Sequence, residues 1–220
     1  MNEQYTLVVI DMQPFFTKNP LTVANVEREV RAARASGMPV IVLEIPCHLS
    51  SGVDCDSETQ SAIVRALAST NRITRMKELA KDGSIKVEKR SRRGFTGVSI
   101  AESKEAVIDI YHPTHPSIMK CLDGYDRHVV LQKFGQGGSV KILNACRKFG
   151  FGMSRFRIVG VNIDLCVLST VKGLLSRSTA RVDVVKDACD TAPRYRWNAW
   201  VKFPVGKRLA ILEAPAQEAA

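Results

Sequence analysis

The stretch FRIVGVNIDLCVLSTVKGLL, residues 156–175, decides the fold. Its part 157–161 is too short and too rich in β-branched residues for a helix, whereas Leu165, Leu168 and Val171 recur at helical spacing. The sequence therefore predicts a strand that leads through a tight turn at Gly160 into a helix.

Cys166 lies at this junction. Asp164 is a candidate N-cap, which would place Cys166 in the first helical turn, where free backbone N–H groups and the helix dipole favour negative charge. The thiolate is the nucleophilic form of cysteine, and a nearby cation would lower the pKa of the thiol further. We therefore predict a reactive cysteine with a lowered pKa. The alternative is a structural cysteine that packs as a small hydrophobic side chain.

Strand and helix patterns alternate on both sides of this junction. Predicted strands are 5–11, 39–45, 128–132, 181–186 and 207–212. Predicted helices are 21–36, 59–70, 139–149 and 194–203. From 71 to 126 the pattern is weaker, with candidate strands at 84–88 and 106–111. The alternation predicts an α/β fold, a three-layer α/β/α sandwich with a mainly parallel, Rossmann-like central sheet.

Three reactive side chains follow predicted strands. Asp11 ends the first strand, Lys133 follows the strand HVVLQ, and Cys166 follows the strand of the 156–175 stretch. Ligands of open parallel sheets bind beyond the carboxyl ends of the strands, so these residues are expected at one edge. The ammonium would favour the thiolate, and the carboxylate could take the thiol proton and return it to a leaving amine. No histidine is predicted beside Cys166, so a Cys–His pair has less support.

The motifs around these residues resemble the isochorismatase-like cysteine hydrolases, which include nicotinamidase and N-carbamoylsarcosine amidohydrolase. The motifs that carry the resemblance are VVIDMQ (8–13), VVLQKF (129–134), GVNIDLCVLST (160–170) and VDVVKDA (182–188). The resemblance implies that Asp11 is the proton acceptor, Lys133 the thiolate stabiliser and Cys166 the nucleophile. It also implies the isochorismatase-like fold and an oxyanion hole from the backbone N–H groups of Asn162 and Cys166, set by a cis peptide between Val161 and Asn162.

The substrate side of the site is less similar to that family. We expect Gln13, Phe16 and Phe134 to line the substrate pocket, but FGQGGS replaces the Tyr-Ser-Ala-Phe-like segment that the family carries after the lysine. The Asp-x-His metal motif of nicotinamidases is also missing after the second strand. The segment 44–56 that stands there has candidate ligands at other spacings, which are Glu44, His48, Asp54 and Asp56. The segment HPTHP (112–116) could supply two more ligands, His112 and His115. We therefore expect no metal and no cofactor.

Composition is typical of a soluble globular protein, with 45% apolar and 25% charged residues in 220. We expect one domain over 1–220 with a divergent basic insert at about 71–126. The six scattered cysteines indicate reduced thiols, and no apolar run approaches the ~18 residues of a membrane span. These features predict a cytoplasmic protein without membrane contact, and we also expect a homo-oligomer.

We consider two functions, the second of which is suggested by the formal charge of +10. The first is hydrolysis of a C–N bond of a small amide or carbamoyl compound through a thioacyl-enzyme intermediate. The alternative is a catalytically inactive protein whose basic surface binds nucleic acid or an acidic partner. The densest basic cluster is Lys89, Arg90, Arg92 and Arg93. No aromatic residue interleaves with it to stack on bases, which favours a solvated loop or a surface for an acidic partner. The hydrolase is favoured because all three reactive residues are present, which a protein that only binds would not need.

Overall fold

The structure is a computed structural model, and it describes residues 4–49, 56–87, 95–101, 107–192, 195–203 and 206–213. The contacts between residues divide the chain into two compact units. The first unit contains Met1–Met12, Phe16–Glu44 and Thr114–Ala220. The second unit contains Gln13–Phe15 and Ile45–Pro113. The predicted single domain with an insert at 71–126 stays a prediction, because a compact unit need not fold alone.

The first unit is built on a six-stranded sheet. Its strands are β1 (Thr6–Ile10), β2 (Val40–Glu44), β6 (His128–Gln132), β7 (Arg155–Val161), β8 (Arg181–Asp190) and β9 (Leu209–Leu212). They lie in the order β6-β2-β1-β7-β8-β9, and every neighbouring pair is parallel. This arrangement confirms the predicted α/β fold with a parallel central sheet.

Helices cover both faces of this sheet. Successive side chains of a strand point to opposite faces, so a strand that is apolar throughout needs a cover on each face. The helices of the first unit are α1 (Pro20–Ala35), α4 (Pro116–Lys120), α5 (Ser139–Phe149), α6 (Leu168–Arg177) and α7 (Arg196–Ala199). The buried face of α1 forms one core cluster with Leu7 and Val9 of β1 and with Val40 and Val42 of β2. On the opposite face, Gly138, the N-cap of α5, packs closely against Leu43. A Cβ added at Gly138 would lie 2.3 Å from Cδ1 of Leu43.

The second unit contains a three-stranded antiparallel sheet and two helices. Its elements are β3 (Cys47–Leu49), β4 (Gly97–Ala101), β5 (Val107–Tyr111), α2 (Ser57–Ala68) and α3 (Arg72–Lys81). The strand order is β3-β5-β4. It has its own apolar core, which includes Ile63, Met76, Ile100 and Ile110. Within the described residues, the predicted strand at 84–88 is reduced to one bridge between Val87 and Ile100, and β4 was not predicted.

The described part of the chain contains no helix with both the length and the apolar character needed to cross a membrane.

Candidate active site

Three strand ends bring the predicted reactive residues to one edge of the parallel sheet. Asp11 directly follows β1 and Lys133 directly follows β6, while Cys166 lies five residues beyond β7. The backbone fixes the first two positions, since the Asp11 amide donates to the Leu43 carbonyl at 3.0 Å and the Lys133 amide to the Glu44 carbonyl at 2.8 Å. Asp11 has φ 51°, in the left-handed region that non-glycine residues rarely adopt, which marks it as a residue held by its surroundings.

Asp11 and Lys133 form a buried ion pair. Lys133 Nζ lies 2.7 Å from Asp11 Oδ2, and each side chain is 1% exposed. The ammonium also donates to the Gly135 carbonyl at 3.0 Å, so its position is set by two acceptors. Cys166 is 7% exposed, and the charges of Asp11 and Lys133 both act on its thiol. The structure therefore places all three predicted residues at the same edge of the sheet, with Asp11 and Lys133 in direct contact.

The segment that carries Cys166 differs from its prediction. Ile163–Val167 form a turn of π-helix, and the α-helix α6 begins only at Leu168. Asp164 is not the N-cap, because its carboxylate accepts a hydrogen bond from Thr191 Oγ1 at 2.6 Å instead of from a backbone amide. The sequence could not show this bond, since its partner lies 27 residues further along the chain. Cys166 thus precedes the regular helix. It is not in the first turn of an α-helix, where the sequence placed it.

The thiol pKa moves in the opposite direction from the prediction. Burial and the Asp11 carboxylate raise the pKa of Cys166 to about 12, and the Lys133 ammonium opposes them only in part. Burial likewise raises the pKa of Asp11 to about 6, against the lowering effect of Lys133. The predicted resting thiolate is therefore wrong. At neutral pH the site holds a neutral thiol beside an ionised carboxylate, and moving the proton from sulfur to oxygen leaves the total charge of the three groups unchanged.

Glu44 is a further carboxylate at this edge, which the sequence suggested only as a metal ligand. It ends β2, is 2% exposed, and its Oε1 accepts from the Thr114 amide at 2.6 Å. Its negative charge contributes to the raised pKa of Asp11. The signal in the sequence was a carboxylate that ends an apolar strand, the same signal that singled out Asp11.

The turn after β7 contains the predicted oxyanion donors. The peptide bond between Val161 and Asn162 is cis. The Asn162 carbonyl accepts hydrogen bonds from the amides of Leu165 and Val167, each at 3.1 Å, which closes the turn around Cys166.

The three predicted pocket residues have different surroundings. Gln13 belongs to the second unit, where its amide donates to the carbonyls of Ile45 and His112 and accepts from the Ile45 amide. Phe16 packs against the core cluster of the first unit, and Phe134 is 63% exposed. The assignment of these residues to a substrate pocket stays a prediction.

The candidate metal ligands have other roles where they are described. Asp56 is the N-cap of α2, His48 pairs with Asp109 between β3 and β5, and His115 bonds Ser117 Oγ at 2.8 Å. Burial and nearby cations lower the pKa of His112. Asp54 lies outside the described residues. Across the described ranges, no three His, Cys, Asp or Glu side chains are grouped so that they could hold a metal ion.

Three solved structures with similar folds help to place this chain. The MAR1 ribonuclease from Caenorhabditis elegans is 18% identical, with a TM-score of 0.57, over 96% of this chain and 76% of its own. An isochorismatase family protein from Desulfovibrio vulgaris is 17% identical, with a TM-score of 0.57, over 96% and 94%. The nicotinamidase/pyrazinamidase PncA from Bacillus subtilis is 12% identical, with a TM-score of 0.54, over 94% and 100%.

These similarities show that the chain has the isochorismatase-like α/β fold, as the motifs implied. No protein-family model matches the chain, and no curated protein matches its sequence. The fold is therefore shared with proteins of different activities, and the activity of this chain has to be argued from its own residues.

Proposed function

We propose that this protein is a cysteine hydrolase that cleaves a C–N bond of a small amide or carbamoyl compound. The observation that carries the proposal is the buried Asp11–Lys133 ion pair, whose two charges both act on the buried Cys166 thiol. A carboxylate with a pKa of about 6, next to a thiol, is a base matched to proton transfer near neutral pH. The nicotinamidase/pyrazinamidase from Bacillus subtilis, which has this fold, supports the same class of substrate.

The reaction divides into two halves. In the first, Asp11 accepts the thiol proton while Cys166 Sγ attacks the carbonyl carbon, and a C–S bond forms. The backbone N–H groups of Asn162 and Cys166 stabilise the oxyanion. Asp11 then returns the proton to the leaving nitrogen, the C–N bond breaks, and ammonia or an amine departs from a thioacyl-enzyme.

In the second half, Asp11 takes a proton from water, and the hydroxide attacks the thioester carbon. The C–S bond breaks, the acid product leaves, and Asp11 returns its proton to the sulfur of Cys166. Lys133 keeps a positive charge beside both negative groups throughout, so the proton can move in either direction without leaving an uncompensated buried charge. Each group thus ends in the state in which it began.

The test is ammonia release from a panel of small amides and carbamoyl compounds. We expect turnover by the parent protein and none by Cys166→Ala. Cys146→Ala is the matched control, since Cys146 is also buried but lies on α5, outside the site. A mass increase by the acyl group on Cys166 alone would identify the intermediate. Turnover by purified Cys166→Ala would disprove the nucleophile assignment.

A second candidate is that the chain binds nucleic acid without catalysis. Two observations favour it, the formal charge of +10 and the similarity in fold to the MAR1 ribonuclease from Caenorhabditis elegans. Binding of a single-stranded RNA, measured by fluorescence anisotropy, should then fall steeply as salt rises. RNA binding unaffected by Cys166→Ala, together with absence of ammonia release from every amide, would favour this candidate over the hydrolase.

A further inference from the structure

A buried hydrogen bond joins Asp164 to Thr191 beside the reactive cysteine. Thr191 Oγ1 donates to Asp164 Oδ1 at 2.6 Å, and both residues are at most 9% exposed. Asp164 lies two residues before Cys166 in the π-helical turn Ile163–Val167 (the cysteine turn), whereas Thr191 directly follows β8. The bond therefore connects the turn that carries the cysteine to the end of a neighbouring strand.

The pairing of β8 with β7 explains how Thr191 reaches the cysteine turn. Ile158 of β7 pairs with Val184 of β8. Two residues further along β7, Gly160 pairs with Cys189, which is five residues further along β8. Such a bulge redirects the side chains that follow it, and bulges are frequent next to active sites. Because β7 and β8 pair again up to their ends, Thr191 follows β8 where the cysteine turn follows β7.

Thr191 is itself held by its neighbour Asp190. The Thr191 amide donates to Asp190 Oδ1 at 2.8 Å. Asn19, the N-cap of α1, donates from Nδ2 to Asp190 Oδ2 at 2.8 Å, and Arg196 forms an ion pair with the same carboxylate at 3.0 Å. The hydroxyl that Asp164 accepts therefore comes from an anchored part of the backbone, and it restrains the cysteine turn from outside.

The proposed reaction depends on where the cysteine turn lies. Cys166 Sγ has to be within reach of the Asp11 carboxylate for the proton transfer, and a misplacement of about 1 Å can slow a reaction about 100-fold. The backbone hydrogen bonds that the Asn162 carbonyl accepts close the turn on itself. The bond from Thr191 reaches instead to β8, so it contributes to the position of the turn relative to the sheet.

We propose that Thr191 is a positioning residue, which acts through Asp164 to hold Cys166 where its proton can pass to Asp11. This inference rests on the proposed cysteine hydrolase function. In this role Thr191 does not touch the substrate. Its removal should therefore slow the chemical step and leave substrate binding nearly unchanged.

Steady-state kinetics with an amide that the parent protein hydrolyses tests the proposal. Thr191→Val removes the hydroxyl and keeps the size of the side chain, and we expect kcat to fall about tenfold or more with KM close to the parent value. Thr191→Ser retains a hydroxyl and should retain most of kcat.

Thr6→Val is the matched control. Thr6 is also buried, and its hydroxyl donates to the Gly152 carbonyl at 2.8 Å, at the end of β1 away from Asp11. Urea denaturation should show that both valine variants lose stability, because each loses one buried hydrogen bond. Only Thr191→Val should lose kcat. If the two valine variants have the same kcat, Thr191 has only a structural role and the proposal is overturned.

A second measurement needs no substrate. Alkylation of Cys166 by iodoacetamide, followed by mass spectrometry, should accelerate in the parent protein as the pH passes the Asp11 pKa of about 6, because Asp11 then accepts the thiol proton. Lys133 and Glu44 also act on Asp11, and both are unchanged in Thr191→Val. We expect the acceleration to be absent from Thr191→Val, as from Asp11→Asn.

The two measurements separate this proposal from the proposed function. An acceleration that Thr191→Val retains would overturn the positioning role, whether or not the protein hydrolyses an amide. An acceleration that the parent protein shows and Thr191→Val loses would support the positioning role even if no amide is hydrolysed, and in that case only the proposed function fails.

Discussion

At the scale of single residues, the site depends on where one proton resides. The carboxylate of Asp11 and the thiol of Cys166 share the field of one ammonium, Lys133, in a space from which water is largely excluded. Burial alone would suppress both negative charges, and Lys133 stabilises only one at a time. The neutral thiol is therefore the resting form, and the thiolate is formed only when Asp11 takes the proton.

This arrangement predicts the acid limb of the pH profile. Below the Asp11 pKa of about 6 the carboxyl is protonated and cannot accept the thiol proton. We expect kcat/KM to fall about tenfold per pH unit below that value and to be constant just above it. Stopped-time ammonia assays in overlapping buffers measure the profile. An acid limb near pH 4, the usual range of an exposed carboxyl, would contradict the role of burial.

Glu44 provides a second prediction. Its charge raises the pKa of Asp11, so Glu44→Gln should move the acid limb to lower pH, while Gln Oε1 can still accept from the Thr114 amide. The pH at half-maximal kcat/KM is the quantity to compare, with circular dichroism as the check on folding. A limb that stays at the parent pH would show that Glu44 has only a structural role.

The ion pair itself predicts a pattern of stability. Lys133→Met should reduce the free energy of unfolding by about 3–5 kcal/mol, because Asp11 would remain buried without its counter-ion. The double variant Asp11→Asn with Lys133→Met should recover most of that loss, since no buried charge is left. Urea denaturation at neutral pH gives both values. Equal losses in the single and double variants would mean that the charges are not coupled.

At the scale of secondary structure, the contact between β1 and β7 sets the distance between Asp11 and the cysteine turn. Gly160 of β7 has φ +123°, and a Cβ there would lie 2.1 Å from the carbonyl oxygen of Ile10. Gly160→Ala should therefore cost about 3 kcal/mol or more, from backbone strain and overlap together. Gly152→Ala is the control, since a Cβ at Gly152 meets nothing within 4 Å. Similar thermal unfolding of the two variants would refute the close approach.

The elements that the sequence predicted well are those whose interactions are local or repetitive. Strands β1 and β2 are buried on both faces and so appear as continuous apolar runs, as does the second half of β7, while α1 and α5 show one apolar face and a glycine at or just after the helix end. Because parallel strands end at one edge, the prediction of β1, β6 and β7 was enough to place Asp11, Lys133 and Cys166 at the same edge.

The elements that the sequence missed depend on distant partners. In the second unit, Ser99 of β4 lies opposite Asp109 of β5, and Ser99 Oγ donates to Asp109 Oδ1 at 2.8 Å in the buried sheet. These polar residues interrupt the apolar pattern on which strand prediction relies. The thiol pKa was predicted in the wrong direction for a related reason, since burial of Cys166 is a property of the folded chain.

At the scale of the whole molecule, each of the two units has an apolar core of its own among the described residues. One lies between α1 and the parallel sheet, and the other lies in the second unit around Ile110 and Met76. Separate cores allow one unit to open while the other stays folded, whereas a single cooperative domain would lose both together. Whether the chain unfolds as the predicted single domain or as two units can therefore be measured.

Hydrogen exchange followed by mass spectrometry separates the two possibilities. Ile110 of β5 is fully buried, and Ile110→Ala should cost about 2–5 kcal/mol. Because the two cores share no residue among those described, we expect faster exchange in peptides from 56–87 and 107–113, with unchanged protection in β1 and β7. Ile158→Ala removes the same groups from β7 and should give the reverse pattern. If each variant instead accelerates exchange equally in both units, the chain unfolds as one domain, and the two cores stabilise each other.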